Sequence, residues 1–174
     1  MATLKYKDKT DRAYGLTGMS ICMCLMENEQ YIHLVDIDAE ADHGIEFTPD
    51  FYHIRNQSLS AKAVWKDNLE RFRLLTGLVV SNIMCRALVR NREEISRELS
   101  DLLLRHLQTE AEELCSLQAD ETRSVFAESL NFFHRVFTHP QVNSIVREMV
   151  DELQGRRKLE YEAVIHILRP LIGA

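Results

Sequence analysis

The chain has 174 residues, of which 45% are apolar and 28% are charged, and its formal net charge is −6. This composition is typical of a folded globular protein and excludes an intrinsically disordered chain. The acidic balance disfavours nucleic acid or an anionic membrane as the main partner, because both require a basic surface. We expect a single domain over residues 1–174 that folds without a disulfide or a metal ion.

The first residues are charged where an export signal would have its apolar centre, so we expect a cytoplasmic protein. The four cysteines lie within apolar segments, at Cys22, Cys24, Cys85 and Cys115. In a reducing compartment such residues are buried thiols. Cys22 and Cys24 are separated by one residue, which is the spacing of neither a redox motif nor a zinc site. We therefore predict no cofactor.

Residues 1–57 are predicted to contain a polar lead-in, a β-hairpin and a loop. Residues 18–26 are almost entirely apolar, a short polar stretch follows, and residues 31–38 are apolar until acidic residues appear. Two apolar segments joined by a short polar turn favour a β-hairpin over residues 18–38. A buried helix over residues 18–26 is the alternative, because periodicity does not separate strand from helix in so short an apolar segment.

The loop over residues 39–57 contains a glycine, a proline and several residues that favour turns. We predict one short extended piece in it, at residues 44–48. Phe47, Phe51 and Tyr52 are expected to anchor the loop on the core.

A central buried helix is predicted over residues 58–90, with Ser58 or Ser60 as its N-cap. Apolar residues recur there at spacings of three and four, which is one face of a helix: Trp65, Leu69, Phe72, Leu75, Val79 and Ile83. From Leu74 onward the apolar residues lie on most sides of the helix, which indicates burial on most sides. A membrane span is disfavoured because Asn82 and Arg86 interrupt the apolar residues. Gly77 is expected to let another element approach closely.

Four further helices follow from apolar periodicity and capping residues. The first runs from its N-cap Asn91 to Leu117, the second from its N-cap Asp120 to Phe137, the third from Thr138 to Gly155 and the last from Lys158 to Arg169. Together with the central helix they make a bundle of about five helices, spanning residues 58–174. The predicted fold class is therefore mainly α, on the border with α+β because of the N-terminal hairpin.

No motif in the sequence predicts a catalytic or metal site. The acidic stretch from Asp36 to Phe47 resembles a calcium loop, but Ala41 stands where the glycine is required and Phe47 where the glutamate is required. We interpret this stretch as a solvated acidic turn. No two histidines have the spacing that places both on one face of a helix, and neither a serine nucleophile motif nor a glycine-rich phosphate loop occurs.

The candidate site residues are Asn82, Arg86, Trp65 and His53. Buried polar groups must be paired, so Asn82 and Arg86 in a buried helix require partners. Hydrogen bonds between helices are the interpretation that we favour, and a pocket or a subunit interface is the alternative. A pocket would lie between the central helix and residues 47–55, lined by Trp65, His53 and Arg86.

These observations favour a non-enzymatic helical interaction or regulatory protein that binds another protein, and in particular a second copy of itself. A hairpin with two apolar faces would be completed across a two-fold axis. The alternative is a small-molecule-binding or enzymatic helical domain that uses the pocket just described. DNA binding through a helix-turn-helix around Arg90 and Arg92 is disfavoured by the net charge.

Overall fold

The computed structural model describes residues 5–40, 44–52, 60–115 and 117–172. Within these ranges the α-helices are α1 (Lys9–Leu25), α2 (Pro49–Tyr52), α3 (Ala61–Met84), α4 (Arg97–Glu110), α5 (Ala119–Thr138), α6 (Pro140–Arg156) and α7 (Tyr161–Leu168). Two helices continue as π-helical turns, α3 through Cys85–Asn91 and α4 through Ala111–Cys115. The strands are β1 (Ile32–Asp36), β2 (Ile45–Phe47) and β3 (Lys158–Glu160). The predicted class, mainly α with a small β part, is confirmed.

The three strands form one sheet in the order β2-β1-β3, and both outer strands run antiparallel to β1. Val35 in β1 lies opposite Ile45 on one side and opposite Leu159 on the other, and all three side chains are buried. The extended piece predicted at residues 44–48 is β2. β3 lies between α6 and α7, where the sequence predicted the start of the last helix. The N-terminal part and the helical part thus share one sheet.

The first strand of the predicted hairpin is wrong, because residues 18–26 belong almost entirely to α1. The alternative of a buried helix was right for this segment, and the second predicted strand is β1. α1 begins at Lys9, inside the predicted polar lead-in, with Asp8 as its N-cap. From Ala13 onward α1 is buried on most sides, because it packs against both α3 and α6. An all-round apolar pattern hides the helical period.

The central helix is where the sequence predicts it. Ser60 caps α3 by accepting a hydrogen bond from the N–H of Ala63 (3.3 Å), and the helix continues through its π-helical turns to Asn91. α3 packs against α1 and α5. A Cβ at Gly77 would lie 2.9 Å from Cys22 Sγ, so the close approach predicted at this glycine is confirmed.

The other predicted helices correspond to α4, α5, α6 and α7, but their ends differ from the prediction. Asn91 does not cap α4, because it completes the π-helical turns and Arg92 then adopts a left-handed conformation (φ 56°). Ser96 is the N-cap of α4, and Gln118 forms the capping box of α5. The left-handed residue Arg157 (φ 71°) ends α6.

One ionic cluster joins three distant elements. Asp38, just after β1, accepts a hydrogen bond from Lys9 Nζ (2.6 Å) at the start of α1. It also accepts hydrogen bonds from Arg157 Nε (2.8 Å) and Nη2 (2.5 Å) at the end of α6. These bonds to both cations lower the pKa of Asp38, the bonds from Arg157 most of all.

In the part of the chain that the structure describes, one helix, Ala63–Asn91, is long and apolar enough to cross a membrane by length and composition alone. About two thirds (67%) of its most apolar window is buried within the protein. The core helix of a folded domain has these same properties.

Candidate functional site

Arg86 and Asp11 form a buried ion pair between the end of α3 and the start of α1. Arg86 Nη2 lies 2.5 Å from Asp11 Oδ2, and the two side chains are 0% and 1% exposed. The same Nη2 donates a hydrogen bond to the main-chain carbonyl of Lys5 (2.9 Å). Because a buried charge is tolerated only when it is paired and hydrogen-bonded, each of these two side chains depends on the other.

Arg90 and Asp8 extend this pair into an ionic network of two acids and two bases. Arg90 Nη1 lies 2.6 Å from Asp11 Oδ1, and Arg90 Nη2 lies 2.7 Å from Asp8 Oδ2. Asn82, Arg86 and Arg90 are spaced by four residues along one helix and its π-helical turns, which places them on neighbouring turns. The network of Asp8, Asp11, Arg86 and Arg90 is electrically neutral and joins α1 to the end of α3.

The electrostatics keep Asp11 charged. Burial alone would raise its pKa, but hydrogen bonds from Arg86, from the N–H of Lys7 and from Arg90 outweigh burial and lower the pKa to about 2. The pKa of Asp8 is lowered by its hydrogen bonds with the N–H of Asp11 and with Arg90. Both carboxylates are therefore ionised at neutral pH.

Tyr6 lies against this network. Its ring centre is 4.9 Å from the guanidinium carbon of Arg86, which is the geometry of a cation–π contact. Asn82 Nδ2 donates a hydrogen bond to the Tyr6 hydroxyl (2.7 Å). Burial raises the pKa of Tyr6, so the phenol is neutral. A Cβ at Gly15 would lie 2.6 Å from Tyr6 Cε1, so the absence of a side chain at Gly15 makes room for the ring.

The structure brings two of the four predicted site residues together. Asn82 Oδ1 lies 3.4 Å from Arg86 Nη1. Trp65 is 17 residues before Asn82 on the same helix, which is about 25 Å at 1.5 Å per residue. Trp65 and Arg86 are therefore too far apart to line one pocket. His53 lies outside the described residues. A pocket or an interface at Asn82 and Arg86 stays a prediction, as does a small-molecule site at residues 47–55.

Sequence reasoning missed Tyr6, Asp8, Asp11 and Arg90. Their residue types looked like a polar lead-in and a solvated helix end. The one signal available was the spacing of Asn82, Arg86 and Arg90 along a single helix, which places three polar side chains close together on a mostly buried element. The acids that neutralise the arginines are more than 70 residues away in sequence, so no local pattern identifies them.

The opposite end of α3 carries exposed apolar side chains. Trp65 is 47% exposed and Val64 is 46% exposed. Trp65 lies on the same stripe as Leu69 and Phe72, and Phe72, two turns later, is fully buried. The stripe is buried at Phe72 and at Ile83, and it reaches the protein surface at Trp65.

The aromatic residues that were expected to anchor the loop do contact one another. Phe47 and Phe51 stack with ring centres 4.2 Å apart, and Phe51 also meets Tyr31 at 5.9 Å. Phe47 and Phe51 are partly buried against the core, whereas Tyr52 is 66% exposed. This confirms an anchoring role for Phe47 and Phe51.

An open groove of about 570 Å³ runs along α7. It is lined by Tyr161, Glu162, Ile165, His166, Arg169 and Ile172. Tyr161 and Ile172 are more than a third exposed. The groove is open to solvent, unlike the enclosed pockets that bind small molecules.

The cysteines are free thiols buried in the core. Burial raises the pKa of Cys22 and of Cys24 to about 12 and also raises the pKa of Cys85 and of Cys115. They are therefore protonated at neutral pH and lack the thiolate that a nucleophile needs. Among the residues that the structure describes, no group of three or more His, Cys, Asp or Glu side chains is placed to hold a metal ion.

Comparisons with known proteins give no match: no family model, no curated protein and no solved structure matches the chain.

Proposed function

We propose that the protein is a non-enzymatic interaction module that self-associates through the apolar surface at the start of α3. The observation that carries the proposal is the exposure of Trp65 on a stripe whose other residues are buried or partly buried. Tryptophan is enriched at protein interfaces and in the residues that contribute most to binding. Val64 enlarges the same surface, so the exposed apolar area extends over two consecutive residues.

The charges around Trp65 support a second copy of the chain as the partner. The next residues along the helix include two bases and two acids, Lys66, Asp67, Glu70 and Arg71. Lys66 and Glu70 pair within the helix at 3.5 Å. The charge of Lys66, which adjoins Trp65, is thus compensated within its own chain, so it does not oppose a second copy at this surface. Two-fold dimers that bury one patch from each copy are the commonest oligomers.

The sequence-based argument for self-association relied on a hairpin with two apolar faces, but the first predicted strand of that hairpin is part of α1. The proposal now rests on Trp65 and Val64 instead. The proposed setting is the cytoplasm, supported by four free buried thiols, which are typical of a reducing compartment.

Sedimentation and fluorescence test the proposal together, because Trp65 is the only tryptophan. Association removes water from the indole, so its emission should shift to shorter wavelength as the protein concentration rises. Sedimentation should give twice the chain mass of 20.2 kDa. Trp65→Glu should give the monomer mass, because the contact would have to bury a charge.

Leu102→Glu is the matched control, since Leu102 is an exposed apolar residue (41%) on a different helix, α4. This variant should sediment like the wild type. A monomer at every concentration, with an emission maximum that does not move, would show that the start of α3 is not a self-association surface.

A further inference from the structure

Residues 5–7 contact the end of α3 and the start of α1 as a bound peptide would. Arg86 donates a hydrogen bond to the carbonyl of Lys5 (2.9 Å), and the N–H of Lys7 donates one to Asp11 Oδ2 (3.0 Å). Between these two main-chain bonds, the Tyr6 hydroxyl accepts a hydrogen bond from Asn82 (2.7 Å). The protein therefore contacts the main chain on both sides of the tyrosine and the end of its side chain.

Each side chain that holds Tyr6 also has a partner outside residues 5–7, and Asn82 Oδ1 lies 3.4 Å from Arg86 Nη1. Arg86 and Asp11 hold each other, and Arg90 holds Asp11 from the other side. Gly15 lies inside α1, and Asn82 lies inside α3. We define the Tyr6 slot by Gly15, Asn82, Arg86 and Asp11. The Arg86–Asp11 ion pair does not need the Tyr6 ring, so we expect Asn82, Arg86 and Asp11 to keep their positions when the ring is removed.

Residues 5–7 can leave without unfolding α1. The first backbone hydrogen bond of α1 runs from the N–H of Arg12 to the carbonyl of Asp8. Residues 5–7 therefore take part in no backbone hydrogen bond of this helix. Lys5 and Lys7 are exposed, and Tyr6 is the partly buried residue of the three. Because residues 5–7 belong to the same chain, they compete with an external peptide at an effective concentration that reaches millimolar for a short connection.

We propose that the Tyr6 slot is a binding site for a tyrosine-containing peptide segment, and that residues 5–7 of the chain occupy it as an internal competitor. The ligand class follows from the contacts: an extended main chain that offers a carbonyl before the tyrosine and an N–H after it, and a neutral phenol that accepts a hydrogen bond from Asn82. The slot is about 25 Å from Trp65 along α3, so binding there is separate from the proposed self-association.

The test uses Tyr6→Ala, which empties the slot, and a fluorescently labelled acetyl-Leu-Lys-Tyr-Lys-amide peptide, the sequence of residues 4–7. Fluorescence anisotropy should show saturable binding to Tyr6→Ala that is at least tenfold tighter than binding to the wild type. The same peptide with phenylalanine in place of tyrosine should bind about fivefold more weakly, since it lacks the hydroxyl that Asn82 contacts.

Gly15→Ala in the Tyr6→Ala background is the control, because the added methyl occupies the position of the ring. It should abolish peptide binding while circular dichroism shows the helical content unchanged. Equal binding by Tyr6→Ala and the wild type, absence of binding by both, or retained binding after Gly15→Ala would each overturn the proposal.

Tyr6→Phe serves if Tyr6→Ala does not fold. It keeps the ring and loses the bond to Asn82, so residues 5–7 compete less well and the labelled peptide should bind several-fold more tightly than to the wild type. Indistinguishable binding by Tyr6→Phe and the wild type would show that Tyr6 only anchors the N-terminal residues.

Discussion

The two ends of α3 reverse the usual distribution of apolar and charged residues. At its start, Trp65 and Val64 are nearly half exposed. At its end, in the π-helical turns, Arg86 is fully buried in an ion pair with Asp11. Phe72 is the first fully buried apolar residue on the Trp65 stripe.

Neighbouring elements, more than residue type, therefore set burial along this helix. The end of α3 is enclosed by α1, whose Gly15 and Gly18 allow the two helices to approach closely, and by α5. A helix enclosed in this way can bury an arginine only if its partner supplies a carboxylate. The start of α3 leaves its apolar stripe exposed at Trp65.

The largest expected effect is at the charged end. Arg86→Met leaves Asp11 buried without its main partner, so the free energy of unfolding should fall by about 3–5 kcal/mol. Urea denaturation followed by circular dichroism measures it. The double variant Arg86→Met with Asp11→Leu removes both charges and should recover most of the loss. If the free energy of unfolding of Arg86→Met lay within about 1 kcal/mol of the wild-type value, the ion pair would not be important for stability.

The close approach of α1 to this end gives the second effect. A Cβ at Gly18 would collide with the main-chain oxygen of Ser81, which cannot rotate away. Gly18→Ala should therefore lower the free energy of unfolding by about 1–3 kcal/mol. Gly155→Ala is the matched control, because an added Cβ at this position of α6 would meet no other part of the protein within 4 Å beyond its own helical turn. Gly155→Ala should leave the free energy of unfolding unchanged or raise it by up to about 1 kcal/mol. A fall in the free energy of unfolding for both variants would refute the steric argument.

Acid should weaken the same end by about 2 kcal/mol. The pKa of Asp11 in the folded protein is about 2, below its ordinary value of 3.8, so the folded state resists protonation more than the unfolded state does. The stabilisation from Asp11 is complete above about pH 4 and is lost as the pH falls towards 2. Urea midpoints across this range measure the loss. The Arg86→Met, Asp11→Leu double variant should lose about 2 kcal/mol less than the wild type over this pH range. The same loss in both proteins would show that protonation of Asp11 is not its cause.

The smallest effect is expected at the exposed end. Trp65→Ala should change the free energy of unfolding by no more than about 0.5 kcal/mol in dilute solution, where self-association does not contribute. Phe72→Ala, on the same stripe, should cost about 3–5 kcal/mol because it leaves a cavity in the core. Similar losses for the two variants would mean that Trp65 is part of the core.

The helices of the bundle could be predicted from sequence because each of them has an apolar stripe of helical period. α1 could not, since its residues are apolar on most sides and a short segment of that kind fits strand and helix equally well. The ionic network could not be predicted either: Asp11 and Arg86 are 75 residues apart, and only the packing of α1 on α3 brings them together. The exposure of Trp65 was missed because its position in the periodic pattern is that of a core residue.

The shared sheet has a consequence for the order in which the chain folds during synthesis. β1 and β2 are complete by residue 47, but β3 is made only at residues 158–160. Until then β1 has one unpaired edge, and Asp38 lacks the arginine to which it binds at residue 157. Pairing across more than 120 residues is entropically costly and slow. The nascent chain therefore carries an open strand edge from the synthesis of β2 until that of β3, and that edge is a template for incorrect pairing with other chains until β3 covers it.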